Sequence, residues 1–157
     1  MGTIGEIQHN QPIHFRLTLQ FKSDNLKSKV DMTAKRVLVI DDEDDIREVA
    51  QLCLETVGGW EVITAGSGRE GLAKAEAEVP DAILLDVMMP DMDGSTTFQK
   101  LQANIVTQDI PVILLTAKVQ AAEQRKFAQL GVKAVLPKPF DPLMLVHQIA
   151  KVLGWTT

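Results

Sequence analysis

Five side chains of complementary chemistry stand directly after short apolar runs. Asp41 and Asp42 follow Val37-Leu38-Val39-Ile40, and Asp86 follows Ala82-Ile83-Leu84-Leu85. Thr116 follows Val112-Ile113-Leu114-Leu115, and Lys138, with Pro139 after it, ends a fifth run. Gathered at one rim, they supply three carboxylates, a hydroxyl and an ammonium. Three carboxylates in a small crevice repel one another by about 4 kcal/mol per close pair at an intermediate effective dielectric, so they take up protons or collect a cation. An all-oxygen donor set with no His or Cys nearby favours magnesium, which keeps positions open for phosphate oxygens. Beside such a cation an aspartate can act as a nucleophile toward phosphorus, forming an acyl phosphate. Asp86 is the expected nucleophile. The loop after it, Val87-Met88-Met89-Pro90-Asp91-Met92-Asp93-Gly94, has its path restricted by Pro and Gly. Lys138 would pair with one phosphoryl oxygen and Thr116 would donate to another. Singly, each residue has an ordinary structural explanation, such as Asp42 capping a helix or Lys138 lying in solvent. The signal is their joint occurrence at successive run ends.

These residues meet only if the runs are parallel strands with crossover helices between them. From Arg36 onward the chain reads in that way, with strands expected over 36–40, 60–65, 81–85, 111–115 and 133–137. Helices are expected near 43–57, 67–78, 95–103, 119–130 and 141–153. The first, third and fourth strands are apolar without alternation, which requires cover on both faces. In such open sheets ligands bind beyond the carboxyl ends of the strands, where the five side chains stand. Ser67 and Asp141 read as N-caps, Pro142 as a first-turn residue, and Gly58 and Gly131 as residues just past helix ends. The last helix places Leu145, Ile149, Val152 and Leu153 on one side, with Met144, His147, Gln148 and Lys151 on the other.

Net charge is −5, with the acids concentrated in Asp41-Asp42-Glu43-Asp44-Asp45, so the body is a poor nucleic-acid binder. No apolar run is long enough to cross a bilayer, and no basic-then-apolar leader opens the chain. The single cysteine, Cys53, reads as a core thiol in a reducing, cytoplasmic compartment. Residues 1–34 differ from the rest. Ile13, Phe15, Leu17, Leu19 and Phe21 alternate with polar residues as in an edge strand over 13–21, and 22–34 form a polar linker. The bland alternative places the natural start at Met32.

Val-Leu-Val-Ile-Asp41-Asp42, Leu-Leu-Asp86-Val-Met-Met-Pro90-Asp-Met-Asp-Gly94, Leu-Leu-Thr116-Ala117 and Lys138-Pro139-Phe140 together resemble a response-regulator receiver domain of the chemotaxis-receiver type, over residues 35–157. The resemblance implies an α/β fold, a doubly wound five-stranded parallel sheet of order 2-1-3-4-5 with flavodoxin-like architecture. It also implies Mg2+ on Asp41, Asp42, Asp86 and the Met88 backbone carbonyl, and a cis Lys138-Pro139 bond. A sensor histidine kinase or a histidine phosphotransfer protein would be the phosphoryl partner. The chain would then be a phospho-accepting switch rather than an enzyme, a monomer or weak homodimer. With few residues after the last helix, its output is expected through contact with another protein. That role divides between a stand-alone regulator and a relay intermediate.

Two departures from the family pattern stand out. Val135 occupies the position of an aromatic residue that swings inward in many receivers, and a branched aliphatic side chain has no ring to swing. Met88 and Lys118 occupy positions that influence loss of the phosphoryl group, and an apolar Met88 would impede attacking water. A magnesium-dependent aspartyl phosphatase is the rival class. It fits less well, since Asp41-Asp42-Glu43-Asp44-Asp45 lacks the Asp-x-Asp-x-Thr pattern of those enzymes. A flavodoxin-like redox protein is weaker still, because no phosphate loop follows the first strand.

Overall fold

The computed structural model describes residues 34–117 and 120–156. Five strands, β1 (Arg36–Ile40), β2 (Glu61–Ala65), β3 (Ala82–Asp86), β4 (Val112–Thr116) and β5 (Ala134–Pro137), alternate with five helices. The helices are α1 (Asp44–Thr56), α2 (Gly68–Glu78), α3 (Gly94–Ala103), α4 (Ala121–Gln129) and α5 (Leu145–Leu153). All strand pairings are parallel, in the order β2-β1-β3-β4-β5, which is the order the resemblance implied.

The unbroken apolar runs become the central strands because both of their faces are covered. Every residue of β3 and β4 is buried, whereas edge strands β2 and β5 are only partly so. Alternate side chains point to opposite faces. Val37, Val39, Leu84, Ile113 and Leu115 pack with Ala50 and Leu54 of α1 and with Leu145, Val146 and Ile149 of α5. Leu38, Ile40, Ile83, Leu85, Val112 and Leu114 pack with Ala75 of α2, Phe98 and Leu101 of α3 and Phe127 of α4. Each core layer therefore draws on the same three strands.

Two expectations need correcting. The last helix begins at Leu145, not at 141. The Asp141 carboxylate accepts from Leu143 N–H at 2.9 Å and its carbonyl accepts from Met144 and Leu145 N–H, so Asp141-Pro142 makes a turn ahead of the helix. Met144 and Leu143 are exposed. Cys53 is half-buried on α1 rather than a core residue. Ser67 does cap α2, its Oγ accepting from Glu70 N–H at 3.1 Å. The strand expected over 13–21 and nearly all of the 22–34 linker lie outside the described residues, as does Lys118.

Leu38 is fully buried between β1 and the α2/α3 layer. Leu38→Ala is expected to cost about 2–5 kcal/mol, read as a lower urea midpoint at unchanged m-value. A loss below 1 kcal/mol would contradict the packing described.

Candidate functional site

The β1–β3 register pairs Ile40 with Leu85, so the next residue of each strand, Asp41 and Asp86, meet at the carboxyl edge. A carboxylate oxygen from each of Asp41, Asp42 and Asp86 lies within 4.8 Å of the others. Asp41 is 0% and Asp86 1% exposed, so two of these charges are removed from water. Beyond β4 the partner register sets Thr116 against Pro137, and Lys138 N–H donates to the Thr116 carbonyl at 2.9 Å. The sheet thus carries Thr116 and Lys138 to the same rim, and the Lys138-Pro139 peptide is cis.

Lys138 is the local countercharge. Its Nζ donates to Asp41 Oδ2 at 2.8 Å and to Glu43 Oε1 at 3.1 Å, and lies 3.4 Å from Asp86 Oδ2. Burial works against the ammonium, but these hydrogen bonds and the charges of Asp41 and Asp86 outweigh it, so the Lys138 pKa rises above its usual value. Asp41 Oδ1 also accepts from Glu43 N–H at 2.9 Å, and Asp86 Oδ1 from Met88 N–H at 3.2 Å. Asp42 Oδ1 and Asp86 Oδ2 are buried without a hydrogen-bond donor. Burial, then the Asp41 charge, pushes the Asp86 carboxyl up to about 7 against the pull of Lys138 and the Met88 N–H. Two orphaned carboxylate oxygens beside a third carboxylate form a donor set suited to a hard divalent cation.

The loop after Asp86 returns closely on itself. Gly94 N–H donates to the Val87 carbonyl at 2.9 Å, and a Cβ at position 94 would collide with the Asp86 carbonyl and come within 2.7 Å of Val87 Cα. Asp93 caps α3 by accepting from Thr96 N–H at 2.8 Å, a role the sequence reading did not assign. A cleft of about 270 Å³ opens over Asp86, lined by Glu43, Ile46, Met88, Ala117, Lys138 and Pro139. Met88 is 58% exposed at its edge. Val135 is half-buried against the α2/α3/α4 core layer.

Glu43 and Arg47 also belong to this rim and were missed. Glu43 was visible only as one acid among five, and its pairing with Lys138 spans 95 residues of sequence. Arg47 donates from α1 to the Asp41 carbonyl at 2.6 Å and pairs with Asp44. An arginine one turn into a helix carries no signal that it reaches back to a strand end.

Residues 37–150 match the family described as response regulator receiver domain. The chain is 38% identical over 119 residues to the alkaline phosphatase synthesis transcriptional regulatory protein PhoP of Bacillus subtilis, covering 76% of this chain and 48% of that protein. It is 37% identical to the "Probable transcriptional regulator ycf27" of Cyanophora paradoxa, covering 81% of this chain and 52% of that one. The chain therefore spans about half the length of these relatives. Among solved structures it is similar to the chemotaxis protein CheY4 of Vibrio cholerae, with TM-score 0.71 and 32% identity over 76% of this chain and 98% of that one.

The Asp86 pKa fixes the sign of a pH effect in metal-free protein. A carboxyl raised from 3.8 to about 7 by folding holds its proton in the native state after the unfolded chain has lost it. Stability from this group is therefore full below pH 4 and is lost as pH rises to about 7. In chelator-treated protein, Asp86→Asn is expected to remove this part of the pH dependence and to raise the thermal midpoint at pH 7.5. A lower midpoint for Asp86→Asn at that pH would contradict the burial argument.

Proposed function

Because the chain belongs to the response regulator receiver domain family, we propose that Asp86 is its phospho-acceptor, charged by a sensor histidine kinase or a histidine phosphotransfer protein. The observation that carries this reading is the orphaned, buried Asp86 Oδ2, which lies at the floor of a cleft with Lys138 Nζ 3.4 Å away and two further carboxylates beside it. A receiver of two-component signalling needs one reactive carboxylate with matched countercharges, and this rim supplies them.

The Asp41, Asp42 and Asp86 carboxylates and the Met88 backbone carbonyl would hold Mg2+, which when bound supplies positive charge against the phosphoryl oxygens. Asp86 attacks phosphorus through Oδ2 while the bond to the donor breaks and the leaving group departs with its electron pair. Lys138 already stands beside that oxygen and turns from Asp41 toward the new phosphoryl group. The Thr116 hydroxyl, buried at the end of the neighbouring strand, hydrogen-bonds a second phosphoryl oxygen. Movement of Thr116 draws on the start of α4, so the signal leaves through the β4–α4 connection, with Val135 as a packing residue rather than a swinging ring.

The output is contact with another protein, by a cytoplasmic monomer or weak homodimer that makes no contact with nucleic acid. The net charge of −5 supports that reading, and among the described residues no helix is long and apolar enough to cross a membrane. The chain acts as a switch rather than a turnover enzyme. Stand-alone regulator and relay intermediate share all of this chemistry. They differ only in whether the phosphoryl group ends on Asp86 or moves on to a histidine.

Acetyl phosphate with Mg2+ is expected to add one phosphoryl mass to the wild type and none to Asp86→Asn. No gain in the wild type would overturn the assignment. The exposed Met88 side chain has no hydrogen-bond donor to orient a hydrolytic water, so the phospho-form is expected to persist for many minutes or longer. Decay within seconds, followed by mass spectrometry after donor removal, would contradict the role given to Met88.

A further inference from the structure

Glu43 lines the cleft with a charge that this chemistry does not use. Its carboxylate is bound to Lys138 Nζ at 3.1 Å, it lines the cleft over Asp86, and its side chain is 61% exposed. The charges around the cleft do not balance. Among the described residues, the carboxylates of Asp41, Asp42, Asp86 and Glu43 bring four negative charges when ionised against the ammonium of Lys138. Arg47 does not alter the sum, because Asp44 matches its charge. A divalent cation would still leave one net negative charge among the described residues, and Glu43 places it at the mouth through which a phosphodonor enters.

We propose that Glu43 is a specificity-determining residue for phosphotransfer, which rests on Asp86 being the acceptor. It disfavours fully anionic donors more strongly than donors that carry positive charge on the leaving atom, and so shifts the preference toward the latter. An acyl phosphate donor arrives as a dianion with no positive charge. A phosphorus–nitrogen donor, such as a phosphorylated imidazole, brings a cationic nitrogen next to the phosphorus, and Glu43 faces that charge. Across a few ångströms of hydrated cleft one unit charge alters the local concentration of a univalent ion by about threefold, and salt screens the effect. Free metabolic acyl phosphates would thus be held off while a protein phosphohistidine is admitted.

Two small donors separate the cases. With acetyl phosphate, a bond forms between Asp86 Oδ2 and phosphorus, the bond from phosphorus to the acetyl oxygen breaks, and acetate leaves with the electron pair. With phosphoramidate, the phosphorus–nitrogen bond breaks and the already protonated nitrogen leaves as ammonia. At neutral pH the first donor carries two negative charges, whereas the second carries a net single one.

Rates of Asp86 labelling are to be measured for the wild type, Glu43→Gln and Glu43→Lys, with Mg2+ present, at low and high salt. Glu43→Gln is expected to speed labelling by acetyl phosphate about tenfold and by phosphoramidate about threefold, so the phosphoramidate preference falls about threefold. Glu43→Lys is expected to go further in the same direction, and the differences should shrink at high salt. Position 43 is exposed, so equal thermal midpoints are expected for all three proteins. An unchanged ratio between donors overturns the proposal, because release of Lys138 alone would speed both equally. Failure of both donors to label the wild type and both variants overturns the acceptor assignment, and the role of Glu43 falls with it.

Discussion

Like charges held together at the end of two adjacent strands are the constraint around which this molecule is arranged. Asp41 and Asp86 are both buried, and the parallel register that buries their preceding apolar residues is what forces them together. Sliding either strand by one residue would separate the carboxylates, but it would also turn its side chains to the opposite face. Hydrophobic packing therefore maintains an electrostatic arrangement that would otherwise come apart. Lys138 and the N–H groups of Glu43 and Met88 offset part of the repulsion. What they leave unmatched appears in the raised Asp86 pKa and in the two buried oxygens without donors.

The division of labour follows from this. Rigidity lies in β1, β3 and β4, whose side chains feed both core layers and cannot shift independently. The polar side chains of the rim stand at the last strand residue, as Asp86 and Thr116 do, or just past it, as Asp41 does. The tight return at Gly94 and the Asp93 cap fasten the Asp86 loop to the start of α3, so Asp86 is not carried on a free loop. Lys138 differs in kind, since three carboxylates share it and its position is a balance among them.

The strands were legible because a strand covered on both faces has only one simple pattern, an unbroken apolar run, and these runs end on polar residues. Helix starts were less so. Asp141-Pro142 has the composition of both an N-cap and a turn, and only the carboxylate and carbonyl partners two to four residues onward show that the turn came first. Cys53 between two leucines read as core, yet Leu52 is exposed and only Leu54 points fully inward. On a short amphipathic helix a one-residue error in phase changes which side chains meet the sheet.

By itself the sequence determined the order of elements, which strands are central, and the set Asp41, Asp42, Asp86, Thr116 and Lys138. Local composition decides those features, because apolar runs and their terminating residues are read within a few positions. Tertiary structure alone decided which acid Lys138 binds most closely, that Glu43 shares it, and that Arg47 fastens the Asp41 carbonyl. These are matters of distance between groups separated by turns, strands or most of the chain. Among five consecutive acids, only the three-dimensional path of the backbone sets which of them face the cleft.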